Sequence, residues 1–190
     1  MEPIETFIKQ PHFVNGRWNN GYKLEIYLDD DPVDPREEFS NVGKMICFHR
    51  KYRLGGHHGL TIDCFGSWQE VKEFIIDMYG AVVVLPIYMY EHSGITISTE
   101  PFSCSWDSGQ IGFIYADMDD LQDYNGDKTK LTNALIDEVK EYDNYLTGNV
   151  YGYKLYEMDD NGKWEQMESC WGFYGDYKCI LDEYGVKDDD

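Results

Sequence analysis

SWQEVKEFIIDMYGAVVVLPIYMYEHSGITIST, residues 67–99, changes from a helical period to a strand period within one stretch. Trp68, Val71, Phe74, Ile75 and Met78 recur at the three- and four-residue spacing that places them on one helix face. Ser67 precedes them and Glu70 follows Ser67 by three, the reciprocal pattern that satisfies the open N–H groups of a first turn. Gly80 provides the stop, because glycine enters the left-handed conformation at little cost. The next run, VVVLPIYMY (82–90), is too continuously apolar for a strand wet on one side. It predicts a strand covered on both faces, with Pro86 marking a bulge or an edge stretch. His92-Ser93-Gly94 then reads as a turn into a second strand, ITIST.

Outward from this unit, QIGFIYA (110–116) predicts a third strand after the loop PFSCSWDSG. YKLEIYL (22–28) alternates as a strand, and VGKMICFHRKY (42–52) favours strand through its aromatic and β-branched residues. Residues 1–20 read as a weakly structured N-terminal segment of loop with one strand near Phe13, and DDDPVDPREE (29–38) as an acidic loop. A second helix is predicted over Thr129–Leu146, with Leu131, Leu135, Val139, Tyr142 and Leu146 on one face and Gly148 at its end. VYGYKLYE and KWEQMESCWG flank DDNG as a hairpin on an Asn-Gly turn. Asp176 opens a short last helix with Ile180, Leu181 and Tyr184 inward. The order β-α-β-β-β-α-β-β-α implies a single α+β domain over 1–190, a mostly antiparallel sheet with two main helices and a short C-terminal helix packed on it.

Composition narrows the function classes. The 190 residues carry 36 Asp and Glu against 16 Lys and Arg, a net charge of −20. Direct binding to DNA, RNA or an anionic membrane is not expected, because neutralising phosphates takes cations; a basic protein surface is the natural partner. Aromatics reach 16 %, with 16 Tyr among them, side chains suited to half-buried surfaces and interfaces. The five Cys (47, 64, 104, 170, 179) form no CxxC pair, so they read as reduced thiols, most of them buried. MEPIETFIKQ lacks the basic-then-apolar pattern of a leader, and the longest apolar run is far below a membrane span; a cytoplasmic protein is expected.

DPREEFSNVGKMICFHRKYRLGG (34–56), LPIYMYEHSGITISTEPFSCSWDSGQIGFIY (85–115), EVKEYDNYLTGNVYGY (138–153) and SCWGFYG (169–175) together resemble a widespread family of small proteins from bacteriophages, plasmids and integrated elements of Gram-positive and gut bacteria. The resemblance covers most of the chain beyond residue 22. It implies a mobile-element origin and a bacterial host cytoplasm. Small acidic proteins of such elements are often inhibitors of host restriction or CRISPR systems, an implication by setting and not by chemistry.

Two surfaces carry the candidate functions. Asp117, Asp119, Asp120, Asp123 and Asp127 crowd one segment without a cation among them, and the second helix adds Asp137, Glu138, Glu141 and Asp143. Arrayed carboxylates imitate the phosphate spacing of a duplex to a basic cleft, which makes an inhibitor of a host defence nuclease the leading expectation; a solvated acidic face explains the same residues. The alternative is a small-ligand site, a binder or sponge for a nucleotide immune signal, using His49, Arg50, His92, Ser93, Trp106, Asp107 and Ser108. It draws on the basic island Lys44, His49, Arg50, Lys51 and Arg53, which otherwise serves to neutralise the protein's own acids. A third reading is an enzyme with a His/Cys/Asp site around His92, Cys104 and Asp107, although no nucleophile elbow or protease signature accompanies it. His57-His58 does not specify a metal site, since neighbours in a strand point to opposite sides. Glu157-x-Asp159-x-Asn161-Gly162 approaches a calcium loop but fits a hairpin better. The pattern calls for no cofactor and no metal.

Overall fold

Nearly all of the strand that follows the 101–109 loop is buried, and the layers on either side explain why. A computed structural model describes residues 1–10, 12–14, 17–19 and 21–186. The chain runs through β1 (Glu5–Lys9), β2 (His12–Val14), β3 (Arg17–Asn19), β4 (Tyr22–Leu28), α1 (Pro35–Glu38) and β5 (Lys44–Cys47). A 3-10 turn at Ile62–Cys64 leads to α2 (Trp68–Tyr79), β6 (Val83–Glu91), β7 (Ile95–Ser98) and β8 (Ser108–Ala116). Then come α3 (Met118–Asp123), α4 (Lys128–Thr147), β9 (Val150–Met158), β10 (Trp164–Tyr174) and α5 (Lys178–Glu183). The fold is α+β with antiparallel sheets, two main helices and a short C-terminal helix.

The chain forms two compact units. Residues 34–147 make the first, an antiparallel sheet in the order β5-β8-β6-β7. One face packs Ile87, Met89, Ile97, Ile114 and Ala116 against Leu131, Leu135, Val139 and Tyr142 of α4. The other packs Ile46, Phe113 and Tyr115 against Val71 and Ile75 of α2. Helices on both faces leave β8 no polar side, so residues 111–116 are all buried and read as a continuous apolar run. Ser67 accepts from the Glu70 N–H, and Gly80 sits at φ 61°, as the helix signals predict, but Glu70 reaches back to the Gly66 N–H and not to that of Ser67. Pro86 lies beside a register shift at Ile87/Tyr88. β7 pairs only with Tyr88–Glu91, which leaves one side of Pro86 clear of a strand, where a missing N–H is tolerated.

Residues 1–33 and 148–190 make the second unit, a sheet in the order β1-β4-β9-β10. Leu24 and Ile26 of β4 and Tyr153 of β9 bury against Ile180 and Leu181 of α5. Residues 5–9, expected as loop, are β1, paired with β4 from Glu5↔Ile26 to Lys9↔Tyr22. Their side chains are mostly exposed, so no apolar alternation announced the strand. One further helix lies in the segment expected as acidic loop, and another in the segment read only for its charge. Asp34 caps α1 by accepting from Arg36 N–H, with Pro35 at the first helical position. Asp117 and Asp120 form a reciprocal capping box that opens α3. The expectation of mostly buried cysteines is corrected: Cys64, Cys170 and Cys179 are exposed, and Cys47 and Cys104 are half-buried. No helix among the described residues is long and apolar enough to cross a membrane.

Candidate functional site

Most of the acidic surface has internal work. Asp117 accepts from the N–H groups of Asp119 and Asp120, and Lys44 Nζ bridges Asp117 at 3.0 Å and Asp120 at 2.7 Å. Asp127 caps α4 through the N–H groups of Thr129 and Lys130. Glu138 meets Arg36 at 2.9 Å and accepts from the Val42 and Gly43 N–H groups, clamping the 35–43 segment to α4. Asp143 accepts from the Thr96 hydroxyl and Ile97 N–H, both at 2.7 Å, pinning β7 to α4. Asp137 pairs with Lys140 at 3.2 Å. Burial, and then the neighbouring Glu138, push the Glu141 carboxyl above its ordinary range. Asp119 and Asp123 are exposed and have no ion-pair partner among the described residues.

The β6–β7 turn and the 101–109 loop face each other, as expected. Glu91 N–H donates to Asp107 O, and His92 Nδ1 stands 3.8 Å from Asp107 Oδ2. Cys104 Sγ donates to the same oxygen at 3.8 Å. Asp107 thus meets both the imidazole and the thiol, and no direct hydrogen bond joins His92 to Cys104 among the described residues. The left-handed residue at this turn is Ser93, at φ 59°, whereas Gly109 lies within β8 opposite Met89. Ser108 donates its hydroxyl to Cys104 O. Trp106 is 94 % exposed, so its indole walls no cavity.

The basic island divides. Lys44 is neutralised by two carboxylates, and Lys51 meets Glu91 at 2.9 Å, with His49 Nε2 at 4.0 Å from the same carboxylate. Arg50 and Arg53 are exposed and make no hydrogen bond or ion pair among the described residues. His49 Nδ1 accepts from Tyr52 N–H at 3.2 Å, which orients the ring.

His49 and Arg50 border an open cleft of about 580 Å³ in the 34–147 unit, within the range of small-molecule sites. Its walls come from the chain after β5, the 58–63 loop, the first turn of α2 and the start of β8. Phe48 and Trp68 supply an aromatic floor, their ring centroids 6.2 Å apart and tilted by 47°. His58 closes one end edge-on to Phe48; Nδ1 accepts from Leu60 N–H, so Nε2 carries the proton donated to Cys47 O at 3.0 Å. Burial pushes the Cys47 thiol up to about 12. Asp63, on the 3-10 turn, is exposed and has no partner among the described residues. Of the sequence-predicted ligand set, His49 and Arg50 line this cleft, and His92, Ser93, Trp106, Asp107 and Ser108 do not. None of Phe48, His58, Asp63 and Trp68 was expected in the ligand site: Phe48 adjoins His49 in the chain and Trp68 opens α2, whereas His58 and Asp63 reach the cleft through the path of the 54–66 loop.

His58 also borders a hollow of about 440 Å³ with Arg36, Lys44 and His57, but the cations there are matched by Glu138, Asp117 and Asp120. No three His, Cys, Asp or Glu residues converge as metal ligands among the described residues. The near-calcium sequence is a hairpin turn: Asp159 accepts from the N–H groups of Asn161 and Lys163, and Gly162 takes φ 79°. Comparison with protein-family models, curated proteins and solved structures finds no match for this chain.

Proposed function

We propose that the protein binds a small planar anion of the nucleotide class in the cleft bordered by Phe48, Trp68, His49 and Arg50. The observation that carries this reading is an unpaired guanidinium bordering the same cleft as two aromatic rings, in a chain with more than twice as many acids as bases. Aromatic faces stack any base, and a guanidinium binds a phosphate in its own plane. Resemblance to mobile-element proteins suggests a setting, the sequestration of a nucleotide signal used in host defence. Calorimetric titration with nucleoside monophosphates tests it. Micromolar to millimolar binding that Arg50→Gln and Phe48→Ala each weaken about tenfold or more is expected. Heats at the level of dilution for every nucleotide overturn it.

A second reading, the acidic decoy for a basic defence nuclease, is favoured by the net charge of −20 and the exposed Asp119, Asp123 and Asp137. Asp117, Asp120, Asp127, Glu138 and Asp143 contribute less to it than their number suggests, because cations or backbone N–H groups already occupy them. Capture of a basic nuclease at low salt, its release at moderate salt, and loss of capture in an Asp119→Asn/Asp123→Asn/Asp137→Asn variant support it. Unchanged capture by that variant removes this surface from the contact.

A further inference from the structure

Arg50 and Asp63 carry opposite charges on one cleft, and neither is paired with the other or with any other described residue. The cleft's other ionic neighbourhood is already matched, since Glu91 takes Lys51 and stands beside His49. An open cation and an open carboxylate bordering one aromatic floor suit a ligand that offers an anion to one and N–H donors to the other. The Asp63 carboxylate is acceptor-only when ionised, with two oxygens side by side. Among the nucleobases, guanine presents two adjacent, parallel donors, its ring N1–H and exocyclic amino group. Adenine sets a ring acceptor beside its amino group, cytosine does the same, and the uracil N–H is flanked by two carbonyls; each brings a lone pair towards the carboxylate.

We infer that the cleft selects guanine nucleotides, with Asp63 receiving the guanine N1–H and amino group, Phe48 and Trp68 stacking the base, and Arg50 holding the phosphate. This rests on the nucleotide-binding reading above and adds its base specificity. Thr61, whose hydroxyl lies 3.2 Å from Cys64 Sγ, is a neutral neighbour on the same wall. Gln110 adds a neutral neighbour whose amide nitrogen is committed to Gly112 O.

The experiment is a calorimetric comparison of GMP, IMP, AMP and guanosine on the wild-type chain and on Asp63→Asn and Arg50→Gln. Both side chains are exposed and without partners, so both variants keep the fold, which far-ultraviolet circular dichroism checks. The expected order is GMP tightest and AMP weakest, at least tenfold apart, with IMP between because it keeps N1–H and lacks the amino group. Asp63→Asn lowers GMP affinity about tenfold and leaves AMP unchanged. Arg50→Gln brings GMP down to the level of guanosine. Equal affinity for GMP and AMP, or a silent Asp63→Asn, overturns the guanine assignment and leaves the nucleotide cleft standing. No binding of any of the four overturns both.

Discussion

The guanidinium of Arg36 donates to the carboxylate of Glu138 at 2.9 Å, with the two side chains only 6 % and 15 % exposed. The same carboxylate receives the Val42 and Gly43 N–H groups, and the guanidinium also donates to Asn41 Oδ1 and Gly43 O. The Arg36 Nε–H is buried without an acceptor, so the guanidinium already lacks one bond. Removing Glu138 takes one more bond, and the countercharge, from a nearly buried cation. Glu138→Ala is expected to destabilise the 34–147 unit by about 3 kcal/mol, read from urea unfolding. A loss below about 1 kcal/mol would show that the clamp is dispensable.

Two carboxyls on this unit answer acid with opposite sign. The Lys44 ammonium, and then the Asp120 N–H, hold Asp117 below its ordinary range. A depressed carboxyl contributes stability above its unfolded value, near 3.9, and loses it as pH falls through the folded value. Asp117→Asn keeps a capping oxygen but not the charge. It is expected to be less stable than wild type at pH 7, with the gap closing below about pH 4. Glu141 is raised by burial and by Glu138, so its charge is a burden at neutral pH. Glu141→Gln should therefore stabilise at pH 7, and the gain should fade as acid protonates the wild-type residue. Urea midpoints from pH 3 to pH 8 separate the two; the same pH trend for both variants would contradict the assignment.

Cys47 sits in the cleft wall with its thiol pushed up to about 12, whereas Cys64, Cys170 and Cys179 are exposed. Because the thiolate is the nucleophile, iodoacetamide at pH 8 should modify the three exposed cysteines and spare Cys47 in the folded protein. Peptide mapping by mass spectrometry reads this directly. Rapid labelling of Cys47 would mean that the cleft wall opens in solution.

The α+β class and both main helices were legible because their signals are local. Ser67, Glu70 and Gly80 bracket α2, and the spacing Leu131, Leu135, Val139, Tyr142 is the buried face of α4. Asp117-x-x-Asp120 carried the same capping logic for α3 and was hidden by reading the carboxylates as charge alone. β1 was not legible, because an exposed strand is made by its backbone partner and not by its side chains. The candidate site was half legible. His49 and Arg50 stood out as cations in an acidic chain. Phe48 adjoins them in the chain, but His58, Asp63 and Trp68 meet them through tertiary placement that no spacing encodes. The acidic segments were conspicuous for the opposite reason, since composition counts charges but does not say which are already bonded.

The unit made of residues 1–33 and 148–190 takes its strands from both ends of the chain, with β4 paired to β9 from Tyr22↔Glu157 to Leu28↔Tyr151. During synthesis the 34–147 segment leaves the ribosome with all its sheet partners already made, and it can fold as soon as α4 emerges. β4 has by then been waiting with only β1 beside it, its other edge open until β9 appears. Closure of that long loop costs an entropy that grows only slowly with its length. The order of emergence therefore lets the central segment fold before the strands from the two chain ends pair. A nascent chain halted between residues 147 and 158 would expose Leu24 and Ile26 to the aggregation that unpaired strand edges invite.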